Sequence, residues 1–290
     1  MMTKILDGKA TANDLLKDVT NKISKLKAKG IVPGLAVILV GDNPASQVYV
    51  RNKRKKAEKL GINFVLKELP KDSTQEEVLQ LVEQFNHDEK INGILVQSPL
   101  PKQIDEEKVI RMIDPKKDVD GLHSQNLGLL FGNIKQYYPV ACTPKGVITL
   151  LNKYQINVDG KNVVIVGRSK LVGKPLLALL NNLNATVTLA HSHTHNLEEI
   201  TKKADILIAT VGKIGVITDN MVKPGAVVID VGINRNSDGK LVGDVADNVK
   251  EVASYITPVP GGVGPMTVAT LMEQVVELTA VQTNNENLLE

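Results

Sequence analysis

One cysteine, no tryptophan and 3% aromatic residues distinguish this 290-residue chain more than anything it has in abundance. The lone Cys142 excludes an intramolecular disulfide and suits a reducing compartment. Five tyrosines and three phenylalanines leave little to stack on bases, and a net charge of +3 is nearly balanced, so nucleic acid is not an expected partner. No apolar run reaches the ~18 residues of a membrane span, and the Met1-Met2-Thr3-Lys4 start lacks a signal-peptide core. These absences point to a soluble cytoplasmic enzyme with no membrane association. What remains is 42% hydrophobic with 22 glycines, enough chain for two domains that each bury a core.

Apolar strand runs alternate with helical patterns along the whole length, which predicts α/β architecture with parallel sheets covered by helices. Strands are expected at Leu35 to Val40, Ile62 to Leu69, Gly93 to Gln97, Asn162 to Val166, Thr186 to Ala190, Ile206 to Ala209 and Val227 to Val231. Ligands of open parallel sheets gather beyond the carboxyl ends of strands, so the segments after Val40, Gln97, Val166, Ala190, Val211 and Val231 are the places to look. The pattern breaks near Tyr137 to Pro144, the expected domain boundary, and the polar stretch Thr283 to Asn287 reads as a frayed tail.

Strand Val163 to Val166 runs into Gly167-Arg168-Ser169-Lys170-Leu171-Val172-Gly173-Lys174-Pro175, and a helix pattern follows. A strand, a glycine loop and a helix amino terminus make a pyrophosphate site. The match to the dinucleotide fingerprint is imperfect, because Ser169 stands where a second glycine is usual and Gly173 falls one position late. A kinase-type phosphate loop fits worse: the glycines are one residue too far apart, and Pro175 replaces the magnesium-binding hydroxyl. A plain strand-to-helix turn without a ligand remains open at this point.

An NAD site usually has Asp or Glu about 20 residues past the glycines. Here the strand ends in His191-Ser192-His193-Thr194-His195, with no carboxylate to repel a 2′-phosphate, while the Arg168 guanidinium suits one. The residues favour NADP. The three alternating histidines admit a second reading as metal ligands on one strand face, but no carboxylate or cysteine completes a set, and no metal is expected.

In the helix expected after Gly41-Asp-Asn-Pro-Ala45, residues advance by about 100° each. Ser46, Tyr49, Val50, Lys53, Ala57 and Leu60 then share one sector, in which Lys53 is the only charge. Arg51, Arg54, Lys55, Glu58 and Lys59 point elsewhere and read as a solvated face. A lysine among apolar neighbours loses hydration, and its pKa falls toward the range where it exchanges protons. Tyr49 lies one turn earlier, within reach.

Residues 258 to 267, Pro-Val-Pro-Gly-Gly-Val-Gly-Pro-Met-Thr, combine glycines that admit a close ligand with prolines that stiffen the loop. Taken with the Gly167 to Pro175 segment and with Tyr49-Val-Arg-Asn-Lys53, the decapeptide resembles the signature set of the bifunctional methylenetetrahydrofolate dehydrogenase/methenyltetrahydrofolate cyclohydrolase family. The resemblance runs in order from Ile5-Leu-Asp-Gly8 to Thr267.

The resemblance implies two domains around a cleft. One, residues 1–140 with 271–290, binds folate and performs catalysis, and the other, 141–270, is a Rossmann-like doubly wound parallel sheet that binds NADP. It makes Lys53, Tyr49, Gln97 and Asp120 catalytic, and Tyr49, Asp120, Asp118, Pro260, Gly261 and Gly262 substrate-binding. Gly167, Arg168, Ser169, Ser192, Ile233 and Thr143 become cofactor-binding. Cys142-Thr143-Pro144 matches the family's junction segment, except that Ala141 stands where proline is frequent. The implied chemistry oxidises 5,10-methylenetetrahydrofolate with NADP and hydrolyses the methenyl product to 10-formyltetrahydrofolate in one-carbon metabolism. The implied assembly is a homodimer. Two rivals stay open: another two-domain dehydrogenase, of amino acid or shikimate type, and a non-catalytic NADP-binding module.

Overall fold

The computed structural model describes residues 3–289. In chain order the elements begin with β1 (Lys4–Ile5), α1 (Gly8–Ala28), β2 (Gly34–Val40), α2 (Pro44–Leu60), β3 (Asn63–Leu69), α3 (Gln75–His87) and β4 (Gly93–Val96). Then come α4 (Glu106–Met112), α5 (Ser124–Phe131), α6 (Cys142–Lys153), β5 (Asn162–Val166), α7 (Gly173–Asn182), β6 (Thr186–Ala190) and α8 (Leu197–Thr201). The last are β7 (Ile206–Ala209), β8 (Val227–Asp230), β9 (Asn234–Arg235), β10 (Leu241–Val242), β11 (Tyr255–Ile256) and α9 (Val263–Gln282). The chain divides into two compact units, one holding residues up to Asp14 with Ala141–Thr270, the other Leu15–Val140 with residues from Leu271 onward.

The Leu15–Val140 unit is built on a parallel sheet in the order β3-β2-β4. Its central strand β2 is buried along its whole length, which is why it reads as a continuous apolar run rather than an alternating one. Helix α3 starts at a capping box, in which the Thr74 hydroxyl accepts the Glu77 N–H and the Glu77 carboxylate accepts the Thr74 N–H. It buries Val78, Leu81, Val82 and Phe85 in one cluster with Ala36, Ile38 and Val40 of β2. The end of α3 is closed by Lys117, whose Nζ donates to the carbonyls of Phe85 and Asp88 at 3.0 and 2.9 Å. Burial pushes the Lys117 ammonium below its ordinary range against the pull of Asp114 and Asp88.

The expected frayed tail is instead tied down. Asn285, 9% exposed, donates its N–H to Ala280 O, and its Oδ1 accepts from Lys29 Nζ.

The other unit holds a six-stranded sheet in the order β1-β11-β8-β7-β5-β6, every pair parallel, with a separate antiparallel β9–β10 hairpin. Val164, Val166, Leu207, Ala209, Val228 and Ile256 form part of its core. The chain leaves β5 to pair β6 on one side and returns to pair β7 on the other, creating a topological switch point at the carboxyl ends of β5 and β7.

Residues 3–14 belong to this unit, whereas the resemblance implied the first domain for them. The cause is local bonding: β1 adds to β11, the Asp7 N–H donates to the Tyr154 hydroxyl at 2.8 Å, and Lys153 pairs with Asp14 at 2.9 Å.

Lys117 supplies a stability test. Lys117→Met removes the second donor from the Phe85 and Asp88 carbonyls, which keep only the Asp88 and Ile91 N–H groups, and should cost about 1 kcal/mol. The exposed Lys90→Met should change the denaturant midpoint little. Equal midpoints for the two variants would deny Lys117 its role as a cap.

Candidate active site

Two residue sets emerge, one in each unit. In the Leu15–Val140 unit, Asn43 caps α2 by accepting the N–H groups of Ala45 and Ser46, Pro44 occupies the first helical turn, and Gly61 ends the helix in the left-handed conformation at φ 78°. These signals fix the ends of α2, and the spacing of its buried residues fixes the side that packs. Ser46, Val50 and Ala57 are buried, Lys53 is half-buried, and Arg51, Arg54, Lys55, Glu58 and Lys59 are exposed.

Lys53 Nζ donates to Gln97 Oε1 at 3.0 Å. Gln97 follows β4 directly, its backbone N–H bonds Ile38 O at 2.9 Å, and its Nε2 donates to Ser98 O at 2.7 Å, so its carboxamide oxygen is held toward the lysine. Tyr49, one turn before Lys53, is 46% exposed. The arrangement pairs a half-buried amine with a neutral acceptor, a combination that can hold or pass a proton without forming an ion pair.

The segment after Lys117 runs beside β4: Asp118 bridges to Ile94, and the Ile94 N–H bonds Lys117 O at 2.7 Å. Asp118, 1% exposed, accepts the His123 N–H at 2.8 Å and Asn126 Nδ2 at 2.9 Å. Burial pushes its carboxyl above the ordinary range, opposed by those bonds. Asp118 therefore holds its turn, whereas the sequence resemblance put it among the substrate contacts. The half-buried Asp120 lies two residues on, and Gln274 of α9 fixes the intervening Val119 carbonyl at 2.6 Å.

In the other unit the loop after β5 depends on two close approaches. Gly167 has φ 124°, and a Cβ there would stand 2.3 Å from Thr210 O; a Cβ on Gly173 would stand 2.0 Å from Gly167 O. Ser169, the departure from the usual glycine pattern, accepts the Val172 N–H on its hydroxyl at 3.1 Å and so caps the approach to α7. Arg168, Ser169 and Ser192 are exposed at this carboxyl edge. Burial and then the charge of Arg168 hold the His191 ring below its ordinary range. No carboxylate follows β6 before Glu198, and the exposed Arg168 and Ser192 fit a 2′-phosphate.

The histidines do not share a strand face. Strand β6 ends at Ala190, and beyond it the His191 N–H bonds Thr194 Oγ1 while His191 Nδ1 accepts the His193 N–H, folding the segment into turns. Among the described residues no group of three His, Cys, Asp or Glu is arranged to hold a metal ion.

Thr143, half-buried near the start of α6, lies 2.9 Å from Thr267 hydroxyl to hydroxyl. Ile233, just past β8, is 46% exposed. The Pro260-Gly261-Gly262 segment follows a cis Val259–Pro260 bond and sits against the start of α1: the Lys9 N–H donates to Gly261 O at 2.9 Å, and a Cβ on Gly8 would stand 1.7 Å from Gly262 O.

Sequence reasoning missed the buried Asp230 and Asp244 of this unit, 4% and 0% exposed. The signal for the first was present, a carboxylate inside the apolar run Val227 to Val231.

A family model described as the catalytic domain of tetrahydrofolate dehydrogenase/cyclohydrolase matches residues 6–120, and one described as its NAD(P)-binding domain matches 141–283. The bifunctional protein FolD of Ligilactobacillus salivarius is 57% identical over 279 residues, covering 96% of this chain and 97% of that protein. The crystal structure of the bifunctional FolD enzyme of Campylobacter jejuni superposes with a TM-score of 0.95 at 45% identity, covering 97% of this chain and 99% of that one. The dehydrogenase-cyclohydrolase of Trypanosoma brucei, solved with NADP cofactor and an inhibitor, gives 0.92 at 37% identity over 97% and 98% of the two chains. Both domain descriptions thus fall in order on the two residue sets built above, and the chain belongs to the tetrahydrofolate dehydrogenase/cyclohydrolase family.

Proposed function

We infer that the chain oxidises 5,10-methylenetetrahydrofolate to 5,10-methenyltetrahydrofolate with NADP+ and hydrolyses that product to 10-formyltetrahydrofolate. Family membership supports the pair of reactions. The 3.0 Å bond from Lys53 Nζ to Gln97 Oε1 is the observation that carries the assignment of residues within it. The same reading makes the chain a cytoplasmic homodimer, the latter checked by sedimentation. No helix among the described residues is long and apolar enough to cross a membrane.

Asp120 anchors the pterin, whose adjacent amino and ring N–H groups match a carboxylate fork. Asp118 contributes through the turn it holds, setting where Asp120 stands. Arg168 and Ser192 take the 2′-phosphate of NADP, the loop from Gly167 through Ser169 meets the phosphates, and Ile233 and Thr143 line the same site. Bound NADP+ supplies the acceptor for the hydride of the one-carbon bridge. The oxidised substrate is a resonance-stabilised methenyl cation, and water adds to its carbon.

Of that water's two protons, one ends on the ring nitrogen whose bond to the carbon breaks, and one is released. Lys53 Nζ is the group assigned to move them, with Gln97 Oε1 fixing the direction of one N–H and Tyr49 bordering the amine. Pro260, Gly261 and Gly262 supply a stiff backbone against the substrate.

Three substitutions separate these roles. Lys53→Met keeps side-chain length but removes the amine, so cyclohydrolase turnover should fall at least about a hundredfold, with NADP affinity retained; turnover at the unmodified rate, after subtracting spontaneous hydrolysis, returns Lys53 to an ordinary helix face. Asp120→Ala should weaken folate in both reactions by about 1.5–3 kcal/mol, read as a rise in KM with NADP binding intact. Arg168→Ala should cost a similar amount, about 1.5–3 kcal/mol, for NADP alone. Titration with NAD, which lacks the 2′-phosphate, should be nearly unaffected, and equal losses for both cofactors would remove Arg168 from the phosphate site.

A further inference from the structure

Asp230 and Asp244 have no part in the mechanism above, yet they are the most heavily bonded carboxylates of their unit. Asp244 Oδ2 accepts the N–H groups of Val211 and Gly212 at 2.6 and 3.0 Å, and its Oδ1 accepts the Lys213 N–H at 2.8 Å and Asn234 Nδ2 at 3.0 Å. Asp230 in turn accepts the N–H groups of Gly232, Asp244 and Val245, each at 3.0 Å. The Asp230 N–H bonds Thr257 Oγ1 at 2.7 Å, immediately before the Pro258 loop. The Asp244 and Asp230 carboxylates thereby join the loops after β7, β8 and β10, and the Thr257 hydroxyl ties Asp230 to the segment after β11.

The surrounding backbone is shaped to admit them. A Cβ on Gly232 would stand 2.2 Å from Asp244 Oδ1, and one on Gly243 would stand 1.8 Å from Asp230 Oδ2. Their partners are N–H groups and not a cation, so the cost of burying each carboxylate is offset by hydrogen bonds alone. Burial and the Asp244 charge raise the Asp230 carboxyl to about 6. A carboxyl raised in the folded state costs stability as pH climbs from the unfolded value through that figure, so keeping Asp230 ionised at neutral pH works against folding. The clamped loops meanwhile hold Val211 and Ile233 at 42% and 46% exposure, apolar side chains turned to the outside.

We propose that Asp244, supported by Asp230, is a positioning residue for the dehydrogenase reaction, fixing the 211–213 and 232–234 loops so that Val211 and Ile233 present an apolar surface to the cofactor. This rests on the reading that NADP binds along the carboxyl edge of the six-stranded sheet. Removing the clamp misplaces that surface without touching Lys53, Gln97 or Asp120.

The test compares full-length Asp244→Asn and the milder Asn234→Ala with the unmodified enzyme. Asp244→Asn should raise the KM for NADP and lower dehydrogenase kcat about tenfold each, and Asn234→Ala about threefold, as expected for a reacting partner held slightly out of place. Cyclohydrolase kcat on methenyltetrahydrofolate, which needs no cofactor, should stay within about twofold. Hydrogen exchange should quicken in peptides covering 211–213 while β5 and β7 stay protected.

Unchanged NADP kinetics in both variants overturns the proposal. If Asp244→Asn does not fold, Asn234→Ala decides alone, and normal dehydrogenase kinetics in that variant overturns it equally. An Arg168→Ala enzyme with unaltered NADP affinity locates the failure in the cofactor reading, whereas a normal Arg168 response with silent Asp244 and Asn234 variants locates it in the clamp.

Discussion

A single hydrogen bond, from Lys53 Nζ to Gln97 Oε1, ties the chemistry of the Leu15–Val140 unit to its fold. It exists because two separate local problems are solved together. Helix α2 must bury Val50 and Ala57 for Lys53, between them, to lie on the packed side, and β4 must pair with β2 in the register that puts Val96 beside Ile38 for Gln97 to emerge at the strand's end. A one-residue slip of β4 turns alternate side chains to the opposite face and removes the acceptor. The five exposed charges of α2 carry no such constraint, and Arg54 with Glu58 forms only an exposed pair one turn apart, screened by solvent.

Much of this was legible because the signals are local. The seven expected strands all form, with ends displaced by a residue at most, since a buried parallel strand is a contiguous apolar run bounded by turn residues. The inward position of Lys53 followed from helical spacing alone.

What was not legible depends on partners distant in sequence. Strand β1 is two residues long and exposed, and nothing in Lys4-Ile5 announces that it pairs with Tyr255-Ile256. The opening segment was accordingly assigned to the other domain. Asp118 and Asp120 are the same residue type two positions apart, and only the His123 and Asn126 bonds reveal that the first is turned inward. Asp244 presents no apolar run and no motif; its role appears only when the loops after β7 and β8 are brought beside it.

The glycine loop after β5 shows why its match to the common fingerprint was imperfect. The usual pattern serves a tight turn, a close phosphate approach and helix packing. Here the turn falls to Gly167, in a conformation that only glycine adopts readily, and the packing to Gly173 against the Gly167 carbonyl. Ser169 stands where a glycine is usual and uses its hydroxyl on the Val172 N–H. The longer spacing keeps the geometric requirement at each end and replaces the middle glycine with a side chain that pairs an otherwise orphaned donor.

The two residue sets also differ in how they use charge. Around Lys53 the acceptor is the neutral carboxamide oxygen of Gln97, not a carboxylate. At the carboxyl edge proposed for the cofactor, Asp230 and Asp244 are bonded to N–H groups, and Arg168 is exposed beside a sequence from which carboxylates are missing. Of the buried carboxylates, Asp230 and Asp244 join loops of one unit and Asp118 holds a turn of the other, and none of the three is bonded to Lys53 among the described hydrogen bonds.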